Sequence, residues 1–165
     1  MGTAVALTFR SGQPTVIELS GKRNISAANA PDGSIRTQYE LSVDLKDDDK
    51  KTLIAGVTVI IEGIVENSDE VAFSVKAALE CRYAFREEKC DEDFKDVKIV
   101  RVFCEPLFHR ASMLAQEMAW RMGFTAVRLQ VTFPNSSEIQ PVSDTSIKET
   151  GEIPKKRTKR PSKAK

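Results

Sequence analysis

The chain has 165 residues, 41% of them apolar and 30% charged, which is the size of one ordinary domain with enough apolar content for a core. No apolar run approaches the ~18 residues needed to span a bilayer, and the opening MGTAVALTFRSG lacks the basic start and long apolar stretch of a secretory leader; the expectation is a cytoplasmic protein with no membrane partner. The net charge of +1 hides an asymmetry, because residues 151–165 hold seven Lys/Arg and one acid while residues 1–150 hold 18 basic and 23 acidic side chains.

PTVIELS (14–20) reads as a first strand. In 35–45, Ile35, Thr37, Tyr39, Leu41, Val43 and Leu45 alternate with Arg36, Gln38, Glu40, Ser42 and Asp44, the period-two pattern of a strand with one buried face. KDDDKK (46–51) is a solvated turn. TLIAGVTVIIEGIVE (52–66) is rich in β-branched residues and apolar on both sides, which predicts a central strand; Gly56 and Gly63 are expected to mark bulges or close backbone approach. ENSDE (66–70) turns the chain into VAFSVKAALECRYAF (71–85), the cleanest alternation in the sequence. Short polar turns between three successive strands predict an antiparallel meander, and the first strand makes four.

REEKCDEDFKD (86–96) reads as an exposed connection, and VKIVRVFC (97–104) fits a short strand or a helical turn equally well. The next stretch, LFHRASMLAQEMAWRMGF (107–124), is helical: apolar residues recur at 107, 108, 111, 114, 115, 118 and 122. Pro106 suits its first turn, with Glu105 beside the N-terminal dipole, and Gly123 suits the left-handed position after its end, with Phe124 as the apolar partner beyond. Met113 and Trp120 fall off the stripe but, seven residues apart, lie on nearly one line; they form a second apolar face for a neighbouring protomer or a client to cover. AVRLQVTF (126–133) resumes an extended alternation. After Phe133 the chain loses aromatic and periodic content and is expected to be disordered. The reading is therefore an α+β domain over 1–133, a four-stranded antiparallel sheet covered by one long C-terminal helix, and a polar tail over 134–165 ending in a basic cluster.

Little in this sequence points to catalysis. The one histidine, His109, falls on the polar flank of the helix, where a surface role outweighs that of a general base. The eight glycines are scattered and make no phosphate-cradling loop. The acidic runs lie on turns without calcium-loop spacing, and Cys81, Cys90, Cys104 and His109 match no zinc pattern. No enzyme activity, catalytic residue, cofactor or metal site is expected.

Three stretches, taken in order, resemble the SecB-like family of protein-export chaperones. VIELSGKRNISAANAPDG (16–33) is similar to the family's first strand running into a K-D-I-S-F-E-A-P-like segment, with Ile25, Ser26 and Pro31 in corresponding places. VTVIIEGIVENSDEVAFSV (57–75) mirrors two long strands joined by a short acidic turn. CEPLFHRASMLAQEMAWRMGFTAVRLQVTF (104–133) resembles the family's long helix, its Gly/Phe break and the extended piece that follows.

The resemblance covers roughly residues 14–133. It implies a homotetramer, a dimer of dimers with the long helices between protomers, that holds unfolded client proteins in external apolar grooves without ATP. Candidate groove residues, apolar and close to irregular segments, are Ile25, Ile35, Tyr39, Phe94, Val97, Val100, Phe103 and Phe124; Met113 and Trp120 are the candidate oligomer interface.

The departures carry their own expectation. In the family, docking to the export motor resembles a charge match made by acidic side chains of the first and last strands. The matching positions here are Asn24 and Ala28, and Lys76 with Ser74 beside it. Neutral and reversed charges remove the steering attraction, so no coupling to the motor is expected. The polar tail replaces the family's second helix. One branch of the family protects an aggregation-prone antitoxin, and a mobile-element role fits equally. The alternative function is association with nucleic acid or an adaptor through Lys155, Lys156, Arg157, Lys159 and Arg160, weak and salt-sensitive because no aromatic residue interleaves them.

Overall fold

In the computed structural model the described residues are 8–29, 32–46, 48–129 and 132–133, together with the backbone of 149–152. The period-two segments form strands β1 (Phe9–Ser11), β2 (Thr15–Arg23), β3 (Gly33–Leu45), β4 (Thr52–Val65) and β5 (Val71–Phe85). One helix, α1 (Val97–Arg121), crosses one face of the sheet, and a last short strand, β6, spans Glu149–Glu152. β3, β4 and β5 form the expected antiparallel meander, with β4 central.

The first strand does not extend that meander. β2 and β1 both pair with β5, at the far edge from β3, so the chain crosses over between β2 and β3. The register of β2 shifts between Val16 and Glu18, leaving Ile17 as an extra residue that is 56% exposed. β6 lies inside the tail expected to be disordered: it pairs antiparallel with the outer edge of β3.

Alternation sets the two faces. Leu53, Ala55, Val57, Val59 and Ile61 of β4 and Phe73, Val75, Ala77, Leu79, Cys81, Tyr83 and Phe85 of β5 point under the helix and are buried. The even residues, apart from buried Ala72, lie half-buried or exposed on the opposite face; there Lys76 meets Glu18 of β2 at 2.6 Å and Arg36 meets Glu62 at 3.8 Å. The Lys76 hydrogen bond holds the Glu18 carboxyl below its ordinary value.

The helix starts earlier than its sequence signals suggest. Asp96 caps it, accepting from the Lys98 N–H at 2.8 Å. Val100, Phe103 and Cys104 join Leu107, Phe108, Ala111 and Ala115 in one buried stripe, with Leu114, Met118 and Met122 half-buried against it. VKIVRVFC is thus helical, and Pro106 with Glu105 sits mid-helix, not at its start. Pro106 takes away the amide that would bond the Val102 carbonyl; Pro106 and Val102 both lie on the exposed face, where water can serve that carbonyl. The end is as expected: Gly123 takes φ +99, its N–H bonds the Trp120 carbonyl at 2.9 Å, and the Phe124 N–H bonds the Ala119 carbonyl at 3.0 Å.

The connection over 86–96 is not wholly exposed. A 3-10 turn at Asp91–Phe94 drives Phe94 into the core. There Phe9, Tyr83, Phe85 and Phe94 surround Phe103, with ring centroids 4.8–6.1 Å from it. The Tyr83 hydroxyl donates to the Phe103 carbonyl at 3.0 Å, and burial raises its pKa. Of the three thiols, Cys81 and Cys104 are buried and Cys90 is exposed. Burial pushes the Cys104 thiol up to about 12. A chromogenic disulfide reagent at pH 8 is therefore expected to label one thiol per chain quickly, at Cys90, and the other two only after unfolding. Two fast thiols in the native protein would contradict this burial.

Candidate functional site

A groove of about 490 Å³ opens where the end of α1 meets the ends of β3, β4 and β5. Its walls are Ile35 of β3, Ile64 of β4, Phe73 of β5, and Phe124 and Val127 beyond the helix. Two glycines shape it. A Cβ on Gly63 would meet the Phe73 ring at 2.2 Å, so only glycine lets that ring lie across β4. The register of β4 on β5 also shifts between Gly63 and Ile64, so Gly63 marks both a bulge and a close approach, as its position in the strand pattern predicts. Gly123, with its positive φ, turns Phe124 back over Phe73; the two rings lie 4.3 Å apart and tilted by 32°.

The segment after the helix forms the outer wall. Of the 126–133 alternation, residues 126–129 and 132–133 are described, and none of them joins a sheet. It runs back along α1: the Leu129 N–H donates to Gln116 Oε1 at 2.9 Å, Val127 and Phe133 are buried, and the Phe133 ring packs on Phe108 at 5.4 Å. Trp120 fastens this wall. Its indole N–H donates to the Val127 carbonyl at 2.9 Å, and the Arg128 guanidinium lies 4.9 Å from its ring centre. Part of its expected role as a free apolar face is thus taken by its own chain; it stays 36% exposed, and Met113 is 68% exposed.

The eight candidate groove residues do not converge on one surface. Ile35 and Phe124 line the groove, and Ile25 is half-buried beside it, its N–H donating to the Ala72 carbonyl at 3.1 Å. Tyr39 is half-buried midway along β3, edge-on to Phe108 at 5.7 Å. Val97 is half-buried at the other end of the helix. Phe94, Val100 and Phe103 are a correction: they are 7%, 3% and 0% exposed and belong to the core, because the helix begins before them or the 3-10 turn folds them under it. Phe73, Ile64 and Val127 complete the groove, and the sequence pattern marks them only as parts of alternating segments. Gly63 opposite Phe73 is the signal that could have found them. Of the positions matching the family's docking acids, Asn24 donates through Nδ2 to the Val71 carbonyl at 2.8 Å, Ala28 is exposed, and Lys76 is engaged with Glu18. Lys155, Lys156, Arg157, Lys159 and Arg160 lie outside the described residues.

Among the described residues no group of three or more His, Cys, Asp or Glu is placed to hold a metal ion, and no helix is long and apolar enough to cross a membrane. No protein-family model and no curated protein matches the sequence. Among solved structures, a protein of unknown function from Streptococcus agalactiae is similar at a TM-score of 0.37, with 12% identity over 70% of this chain and 90% of that one. The Rv1957 SecB-like chaperone of Mycobacterium tuberculosis, solved in complex with a ChAD peptide from the Rv1956 HigA1 antitoxin, is similar at a TM-score of 0.59, with 7% identity over 77% of this chain and 92% of that one. One long helix laid across an antiparallel sheet in this order is a SecB-like fold.

Proposed function

We propose that this chain is an ATP-independent cytoplasmic chaperone that holds unfolded or aggregation-prone client proteins through the groove at the end of α1. The observation that carries the reading is an open groove, walled by apolar Ile35, Phe73 and Phe124 with Asp32, Ser34, Thr125 and Arg128 among its polar lining, in a fold shared with a SecB-like chaperone solved with a bound antitoxin peptide. Such a groove binds extended segments by covering their apolar side chains, at ~25 cal/mol per Å² before ordering costs. Several grooves in a homotetramer act on one long client together, so weak contacts suffice. Half-buried Ile25, close in sequence to Ala27 at the groove's rim, extends the surface beside it. An antitoxin-like client suits the reading, while Asn24, Ala28 and the Glu18-paired Lys76 disfavour coupling to the export motor.

The test mixes the protein with a model enzyme unfolding at elevated temperature. Light scattering is expected to be suppressed at about one tetramer per client, and Ile35→Ser, which removes a groove wall while sparing the aromatic stack, is expected to weaken suppression several-fold. No suppression by the wild-type chain at that ratio overturns the reading.

A further inference from the structure

We propose that β1 is a displaceable plug, and that the place it fills at the end of β5 is a second binding site, for an extended client segment carrying an aromatic residue. The inference rests on the client-binding reading of the groove, but its residues lie apart from it. β1 is held lightly. It is three residues long and pairs only with β5 among the described residues, from Phe9 opposite Phe85 to Ser11 opposite Tyr83. β2 takes up the same edge of β5 from Thr15 opposite Glu80, so the two strands are separate pieces joined through Gly12, Gln13 and Pro14. Pro14 has no N–H to donate. Gly12 is tied by its N–H to the Arg82 carbonyl at 2.7 Å, and by its carbonyl to the Cys81 thiol at 3.5 Å. Arg10, Ser11, Gly12 and Gln13 are exposed.

One side chain of β1 enters the protein. Phe9 is half-buried, with its ring centroid 5.5, 6.1 and 5.1 Å from those of Tyr83, Phe85 and Phe103. These three rings have other supports: Phe94 packs on both Phe85 and Phe103, and the Tyr83 hydroxyl bonds the Phe103 carbonyl. The wall therefore stays standing when Phe9 leaves, and a ring-sized apolar recess opens beside the freed edge of Arg82–Ala84. A segment with an aromatic residue fits both features together, its ring in the recess and its backbone continuing the ladder on β5. A three-residue ladder and one half-buried ring do little more than offset the ordering of the strand, so the exchange of β1 for a client needs no wider unfolding.

The place of the recess suits a long client. Phe73 in the groove and Phe85 at the recess stand near opposite ends of β5 and point to the same face. Their separation is roughly 40 Å along the strand, a span that about a dozen extended residues cover. One client engaging both sites gains avidity within a single chain.

The test locks β1 in place. Arg10 and Ala84 are cross-strand partners with exposed side chains, and such partners stand within disulfide reach. R10C/A84C in a C90S background is titrated against fluorescently labelled α-lactalbumin that has been reduced and carboxymethylated so that it stays unfolded. The oxidised form is expected to bind about threefold more weakly, or worse, than the same protein after reduction. F9A, which empties the recess, is expected to bind about threefold more tightly than the wild-type chain. Both differences should persist when I35S is added, because that substitution alters only the groove. In the wild-type chain, the amides of 82–84 that face β1 should exchange about tenfold faster than those of 76–79 that face β2. Equal affinity of the oxidised and reduced forms overturns the second site even where the groove binds, and so does unchanged affinity in F9A. Equal exchange at 82–84 and 76–79 overturns the plug. Absence of any binding by the wild-type chain overturns the client reading itself.

Discussion

Phe103→Ala is expected to remove about 3–5 kcal/mol of folding stability, the cost of deleting a large buried ring and leaving its cavity. Phe103 is fully buried, and Phe9, Tyr83, Phe85 and Phe94 all pack on its ring. The partners come from β1, β5 and the 3-10 turn, so one truncation loosens the hold of the helix on three other elements together. Its carbonyl also accepts the Tyr83 hydroxyl, and a helix that shifts to fill the cavity strains that bond. Against a typical total of 5–15 kcal/mol, such a loss brings the domain close to unfolding; Phe103→Leu, which keeps much of the volume, supplies a milder reading of the same site. The neighbouring Val102 is 53% exposed, and Val102→Ala is expected to change stability by less than about 0.5 kcal/mol. Urea unfolding at fixed protein concentration measures both. A Phe103→Ala loss below about 1 kcal/mol would mean that the ring is not enclosed as described.

This contrast between adjacent residues shows where the sequence is legible. Alternation across 35–45, 52–66 and 71–85 places the buried faces of β3, β4 and β5 directly, because a period of two admits one facing once one side is apolar. The helical stripe from Leu107 to Met122 is equally plain, as is its Gly123 stop. Val97–Cys104 is ambiguous because Val97, Ile99, Val100 and Val102 are β-branched, and Pro106 looks like a starting signal. The spacing of Val100, Phe103, Cys104, Leu107, Phe108 and Ala111 is helical throughout, but it becomes visible only when counted across the proline. Topology is less legible still. The pairing of β2 with β5 instead of β3 depends on which sheet edge is left open, a property of the assembled sheet. The groove is partly readable: Ile35 and Phe124 can be chosen as apolar residues next to irregular chain, but Phe73 enters it only through a ring laid over Gly63.

Lysine at both Val102 and Met113 is expected to convert the proposed tetramer, with about four times the chain mass, into smaller species while leaving the fold intact. The two side chains are 53% and 68% exposed and sit on the face of α1 opposite the core, three helical turns apart; Trp120 continues the line two turns further. A helix that covers the sheet with one face and carries an apolar line on the other has a surface suited to a second copy. In a two-fold contact each residue is buried twice, so four side chains are affected, each contributing about 1.5–3 kcal/mol when covered. Replacing them with ammonium groups that must stay hydrated should weaken the contact by a factor of a thousand or more. Trp120 is left in place because its indole also secures the groove wall through the Val127 carbonyl, and altering it would confuse assembly with groove integrity. Light scattering on a sizing column reads the mass, and circular dichroism confirms the fold. If the double variant keeps the wild-type mass, the contact lies elsewhere, with exposed Val16 and Ile17 on the β2 edge as the next surface to alter; if the wild-type chain is already a monomer at micromolar concentration, the tetramer reading fails. The same variant separates assembly from client binding, since the groove lies beyond the end of the helix and neither lysine touches it. Suppression of aggregation that survives in the smaller species would place holding in the single groove, whereas suppression lost along with the mass would place it in the combined action of several.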